Sequence, residues 1–431
     1  MQKHGGYTII TALSKLFFRI APAVCTKGAK PLLKPVRRYL QSTDLLYLLL
    51  CIGCTVLSVL TLISIGKFEY GGFAMDEAEG VITGLGGYKQ AVVQACASLI
   101  GVVMAILLSL IDYKALARLW PIHAAITWGM VLMTIIFHEK TFLGITIGHA
   151  PVGTQNYSWI VFPGGISLQP TELAKISFIL MFAMHLESAR EHINEPRELA
   201  KLLLHLLIPV GIIHIQGDDG TAIIFACIGC MMLFVAGLSW RYVMGAVAVA
   251  ATGLALVLTF FQDKLLHSYQ INRIMAVIAP ETVDPKFTYQ QNQGKVSIGA
   301  GKIFGRGLFG EQHHTVANAH NDFIFSYIAE AVGFIGCLIL IGVLVTIAVR
   351  TLTTGLRSKD RLGTYICTGI FAAIAWQIVI NLGMNLGVLP VIGVTLPFLS
   401  AGGTSALMMY LSVGLVLSVY THNKQTLFGK K

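Results

Sequence analysis

Ten long apolar runs leave few folds open to this chain. They lie near 45–66, 90–111, 117–137, 171–187, 202–217, 220–238, 242–261, 323–349, 364–386 and 403–421. As helix, a run of about 20 residues crosses roughly 30 Å of hydrocarbon. The runs are continuous rather than alternating, which excludes a transmembrane β-barrel. With 55% of the 431 residues hydrophobic and 12% charged, there is too little polar surface to cover the runs in water. The expected fold is an all-α polytopic membrane protein of about ten spans, with a long extracytoplasmic loop, 262–322, between spans seven and eight.

Lys and Arg set the orientation. Eight of the 31 precede Asp44, and most of the rest fall in loops on the same side, so both termini are expected in the cytoplasm. The net charge of +10 is then topological. The chain divides into a basic cytoplasmic segment (1–42), a ten-span membrane domain (43–421) and a cytoplasmic tail (422–431). The basic segment reads as a lipid-surface anchor, not a nucleic-acid site. Lys15 and Arg19 interrupt the apolar stretch 9–25, so no cleaved signal peptide is expected. The CxxC pairs Cys51/Cys54 and Cys227/Cys230 sit in apolar runs without nearby His or charge and read as packing residues.

Polar chemistry gathers in the outer segments. "SLQPTELAK" puts Pro170 at a helix start, with Glu172 and Lys175 three residues apart on one face, able to pair. An ion pair at the end of a span fixes that end or lines a polar cavity. "QGDDGT" reads as an N-cap, Asp218 or Asp219, with Gly220 making the turn. The outer loop holds an amphipathic piece, "KLLHSYQINRIMAVIAP", and then "QQNQGKVSIGAGKIFGRGLFG". The glycines of the second piece permit tight turns and close backbone approach. Its Lys295, Lys302 and Arg306 are either phosphate contacts or solvated surface charges. "AHNDFIFSYIAEAVGF" places Asp322 before an apolar run, as helix cap or functional carboxylate, and Glu330 inside it. His313, His314 and His320 lie near Asp322; they do not read as a metal site, and His320 reads as a residue that tunes or orients the carboxylate.

Together these motifs resemble the SEDS family of cell-wall glycosyltransferases, the RodA/FtsW/SpoVE group, over about residues 43–421. "SLQPTELAK" is similar to Q-P-S-E-x-x-K, and "QGDDGTA" to Q-P-D-L-G-T. "YQQNQGKVSIGAGKIFGRG" matches the family's glycine-rich loop, and "AHNDFIFSYIAEAVGFIG" its H-T-D-F-I-F segment. "NLGMNLGVLPVIGVTLPFLSAGGTSAL" resembles its C-terminal motif, with a RodA-like wording. The chain departs from these patterns at Thr171 for serine, Gly217 for proline, Asp219 for leucine and Ala401 for tyrosine. It also has Ser158 where an arginine often precedes Trp159.

The resemblance implies polymerisation of lipid II into glycan strands on the outer face of the bacterial cytoplasmic membrane. Configuration at the sugar inverts and undecaprenyl pyrophosphate leaves. Asp322 matches the family's catalytic aspartate and is expected to be the general base. Glu172, Lys175, Trp159, Gln169, Asp218, Lys302, Arg306, Glu330 and Ser400 are expected on the substrate side. No cofactor is required by the resemblance, although it admits a divalent cation such as Mg or Mn. The expected partner is a class B penicillin-binding protein, a transpeptidase. Two other readings use the same residues: a flippase for lipid II or another polyprenyl-linked sugar, and a noncatalytic activator of a transpeptidase. Against the flippase, the sequence has no clear inverted repeat, and its polar residues gather on the outer side instead of mid-membrane.

Overall fold

A computed structural model describes residues 39–68, 86–150, 156–256, 268–310 and 313–428. Most of the basic segment 1–42 therefore lies outside the described residues. The chain separates into two units, 1–45 and 46–431; of the first, only residues from 39 onward are described, and 39–42 are helical.

Helix α1 is Leu45–Phe68, α2 is Lys89–Ser109, α3 is the short Tyr113–Arg118, and α4 is Trp120–Ile136. Four strands follow: β1 (Lys140–Phe142), β2 (Ile145–His149), β3 (Trp159–Phe162) and β4 (Ile166–Leu168). The remaining helices are α5 (Pro170–Ala189), α6 (Pro196–Ile215), α7 (Asp219–Ala236), α8 (Trp240–Leu256), α9 (Ser268–Ile278), α10 (Pro285–Ala300), α11 (Ile324–Leu356), α12 (Arg361–Asn385) and α13 (Gly403–Phe428).

Each expected span overlaps a helix, the seventh over 242–256 with the rest outside the described residues, and seven of these helices are long and apolar enough to cross a membrane. Of the other three, α4 and α8 have 17 residues each, and α5 carries Glu172, Lys175 and Glu187. Segment 138–170, which shows no strand pattern in the sequence, forms the antiparallel meander β1-β2-β3-β4. Its strands are three to five residues long, too short for alternation to stand out beside apolar runs of 20.

Apolar burial cannot drive helix association where the solvent is hydrocarbon, so small and hydroxylated residues make the contacts. Gly414 of α13 lies against the Ala105 backbone of α2, leaving no room for a Cβ. Buried hydroxyls join distant helices: Tyr47 to Thr351 at 2.9 Å, Thr55 to Tyr410 at 2.7 Å and Ser64 to Tyr327 at 2.8 Å.

Helix α11 breaks at Gly333 (φ 69°, ψ −173°). The glycine-rich piece docks into this break and supplies the missing backbone partners. Lys302 O and Ile303 O accept from Phe334 N and Ile335 N, while Arg306 N and Gly307 N donate to Glu330 O and Ala331 O. An orphaned backbone group would cost about 1–3 kcal/mol in such a setting. The close approach needs Gly305 (φ +80°), where any Cβ would overlap the Ala331 carbonyl. The first half of the piece belongs to the regular helix α10, whose N-cap Asp284 accepts from Lys286 N.

Candidate active site

A cavity of about 800 Å³ lies where α5, the α6–α7 turn, the β-meander, α9, α10 and the segments flanking α11 and α13 meet. That volume is in the usual range for small-molecule sites. Its walls carry Trp159, Gln169, Glu172, Lys175, Asp218 and Asp322, six of the ten residues singled out in the sequence.

Helix α5 begins with Pro170 at its first position and Glu172 in its first turn, as the sequence reading expected. Lys175 Nζ donates to Glu172 Oε1 at 2.8 Å, and both residues are buried. Breaking a buried pair strands a charge and costs about 3–5 kcal/mol, so the pair is a fixed part of the wall. Asp218 is the N-cap of α7 and accepts from Thr221 N at 3.0 Å. The turn is made by Gly217 (φ +87°) and not by Gly220. Gly220 is helical, and a Cβ there would overlap the Ile392 carbonyl. Gln169 Nε2 donates to the other Asp218 oxygen at 2.7 Å. Burial pushes the Asp218 carboxyl above the usual carboxylate range, with the Thr221 hydrogen bonds opposing.

Asp322 lies just before α11, its backbone clamped from two sides. Asn381 Nδ2 and Asn385 Nδ2, both fully buried on α12, each donate to its carbonyl at 2.9 Å. Ser400 Oγ donates to Asn321 O at 2.8 Å, and Ala401 N donates to His320 O at 2.8 Å. Ser400 thus supports the segment carrying Asp322 and is not itself a wall residue. Burial raises the Asp322 carboxyl from 3.8 to about 6; Arg273 pulls it down and Asp218 adds to the rise. His320 lines the same cavity, its imidazole held below its ordinary value by burial.

Three expected substrate-side residues lie elsewhere. Glu330 is fully buried and faces the docked glycine-rich piece: it accepts from Ser297 Oγ at 2.7 Å, Arg306 Nη1 at 3.1 Å and His314 N at 3.2 Å. Lys302 and Arg306 border a separate depression of about 380 Å³ formed by residues 300–306. The break at Gly333 is the cause, because the loop that fills it covers the Glu330 side of α11. The histidines also part company. His314 Nδ1 lies 2.9 Å from Glu330, and His313 stacks on Tyr327 with ring centroids 4.7 Å apart.

In place of Lys302 and Arg306, the segment between α8 and α11 brings Arg273 of α9 and Lys286 of α10 to the cavity. Arg273 belongs to the amphipathic stretch noted in the sequence. Its position on a helix beside a carboxylate-lined site was the available signal.

The helical bundle and the cavity define a multi-pass membrane protein with a carboxylate-bearing polar site at one end. The family model described as "Cell cycle protein", covering FtsW, RodA and SpoVE, matches residues 73–425. The peptidoglycan glycosyltransferase MrdB of Escherichia coli K12 is 34% identical over 266 residues, 61% of this chain and 70% of its own. A probable peptidoglycan glycosyltransferase FtsW of Geobacter metallireducens is 31% identical over 405 residues, 91% of this chain and 98% of its own. Among solved structures, a chain from a peptidoglycan synthase complex studied for its coordination of polymerization and crosslinking matches with TM-score 0.68 at 25% identity. It covers 89% of this chain and 99% of that one. The rod shape determining protein RodA of Thermus thermophilus matches with TM-score 0.59 at 25% identity, over 89% and 98% of the two chains. The chain belongs to the FtsW/RodA/SpoVE (SEDS) family.

Proposed function

We propose that this peptidoglycan glycosyltransferase polymerises lipid II in the cavity around Asp322. The 4-hydroxyl of the acceptor's GlcNAc attacks C1 of the MurNAc at the lipid-linked end of the growing strand. The C1–O bond to undecaprenyl pyrophosphate breaks, and configuration inverts. Asp322 takes the hydroxyl proton; a carboxyl poised near pH 6 is ionised at neutral pH and more basic than an ordinary aspartate. The backbone clamps from Asn381, Asn385 and Ser400 fix its position, which matters because proton transfer needs reach within hydrogen-bond distance.

Lys175 spends one donor on Glu172, and its remaining N–H bonds and charge are the means of holding the leaving pyrophosphate. Trp159 offers an apolar face to a sugar ring, while Gln169 and Asp218 supply hydrogen-bonding groups beside it. Among the described residues, no three His, Cys, Asp or Glu side chains converge as a cation's donor set.

The observation that carries this reading is a partly desolvated carboxylate and a buried Glu–Lys pair on the walls of one cavity, at the bundle end that follows the outer loops. The topology proposed is ten spans with both termini in the cytoplasm, residues 262–322 on the outer side, in the bacterial inner membrane. The proposed role is RodA-like, in elongation and shape, beside a class B penicillin-binding protein that crosslinks the strands.

Lipid II added to purified chain and partner in detergent is expected to give glycan polymer. Lipid II crossing a vesicle membrane with no polymer formed would instead establish the flippase reading.

A further inference from the structure

Asp219 stands where the family motif carries leucine, and the structure gives the extra carboxylate two partners. His214 Nδ1 lies 2.7 Å from Asp219 Oδ1, and Gln270 Nε2 donates to Asp219 Oδ2 at 2.6 Å. The first contact fixes the orientation of the carboxylate, so its second oxygen points at α9. Within its own loop, α9 packs against the turn Pro280–Thr282 and α10. Gln270 and Arg273 are three residues apart on α9 and share a face. Arg273 and Asp322 line the same cavity.

We propose that Asp219 is a positioning residue: by accepting from Gln270 it holds α9 at the cavity wall and keeps the Arg273 guanidinium facing Asp322. A leucine at this position could not form the tie. Arg273 is the cation that favours the ionised form of Asp322 against burial. The other titratable groups on the cavity are Glu172 and Lys175 from α5, Asp218 beside Asp219, His149 from β2, Lys286 from α10 and His320. None of them is carried by α9.

The inference rests on Asp322 acting as the base. Its test is kcat for lipid II polymerisation against pH, with the full chain and its partner. Wild type is expected to show an acid limb near pH 6. Gln270→Ala and Asp219→Leu should each move that limb upward by at least about half a pH unit, the effect of withdrawing one cation across a wet cavity. Removing Asp219's own negative charge acts in the opposite direction, so an upward move cannot come from lost charge. Asp219→Asn loses the charge but keeps an acceptor oxygen, and should not move the limb upward. Arg273→Ala should move it upward, and adding Asp219→Leu to Arg273→Ala should move it no further. Should Asp219→Leu fail to fold, Gln270→Ala decides the matter, because it leaves the α6–α7 turn untouched. A wild type that polymerises but shares its limb with Gln270→Ala overturns the latch alone, and so does an upward move in Asp219→Asn. A wild type that makes no polymer overturns the polymerase reading, and the latch with it.

Discussion

Acid should switch this enzyme off two pH units sooner than an ordinary aspartate base would. Burial raises the Asp322 carboxyl from 3.8 to about 6. A base with that value is roughly nine-tenths ionised at pH 7 and roughly one-tenth ionised at pH 5, so kcat should fall about tenfold between them. A base left at 3.8 would lose only about 6% of its ionised form over the same range. Asp218 faces the same cavity and is also raised, so the limb belongs to the pair and broadens if both titrate together. The assay is initial polymerisation rate at saturating lipid II, with helical content and monodispersity followed at each pH. A flat profile from pH 5 to 7 with the protein folded would refute the burial argument.

Three further outcomes follow from the packing. Asp322→Asn should stabilise the fold above pH 6 by about 1–3 kcal/mol, since a carboxyl whose folded value is raised costs stability only once ionised; the gain should vanish below about pH 4, as thermal unfolding at both pH values would reveal. Gly305→Ala should lose about 2–4 kcal/mol and most of its thermal resistance, because the substitution meets the Ala331 carbonyl in a left-handed backbone; a neutral result would show that the docked loop can shift. Glu172→Gln and Lys175→Met should each destabilise by about 3–5 kcal/mol, while the double variant should lose less than the sum, as a double-mutant cycle on unfolding would measure.

The bundle was legible because length and continuity of apolar runs are enough to specify membrane helices, and among the described residues seven helices long and apolar enough to cross a membrane fall on expected spans. The site was legible where motif residues sit at helix starts. Pro170, Glu172 and Lys175 follow from local helix geometry, and Asp218 from capping. Sequence failed where tertiary contacts decide. Nothing local says that Gly333 breaks α11 or that residues 302–307 fill the break. Glu330, expected on the substrate side, therefore faces the docked loop and does not line the cavity. The clamp from Asn381 and Asn385 joins residues about 60 positions apart and leaves no local pattern. The β-meander escaped because its strands are only a few residues long.

The central claim is that the Asp322 carboxylate takes the sugar hydroxyl's proton. Asp322→Asn preserves size and the backbone clamps while removing the base. Polymerisation of lipid II by the purified variant with its partner, measured beside wild type at pH 7.5, is therefore the most direct test. Glycan strands should form with wild type, while the variant should fold, retain its partner and make at least about a hundredfold less polymer. Equal polymer from the two proteins would contradict the account.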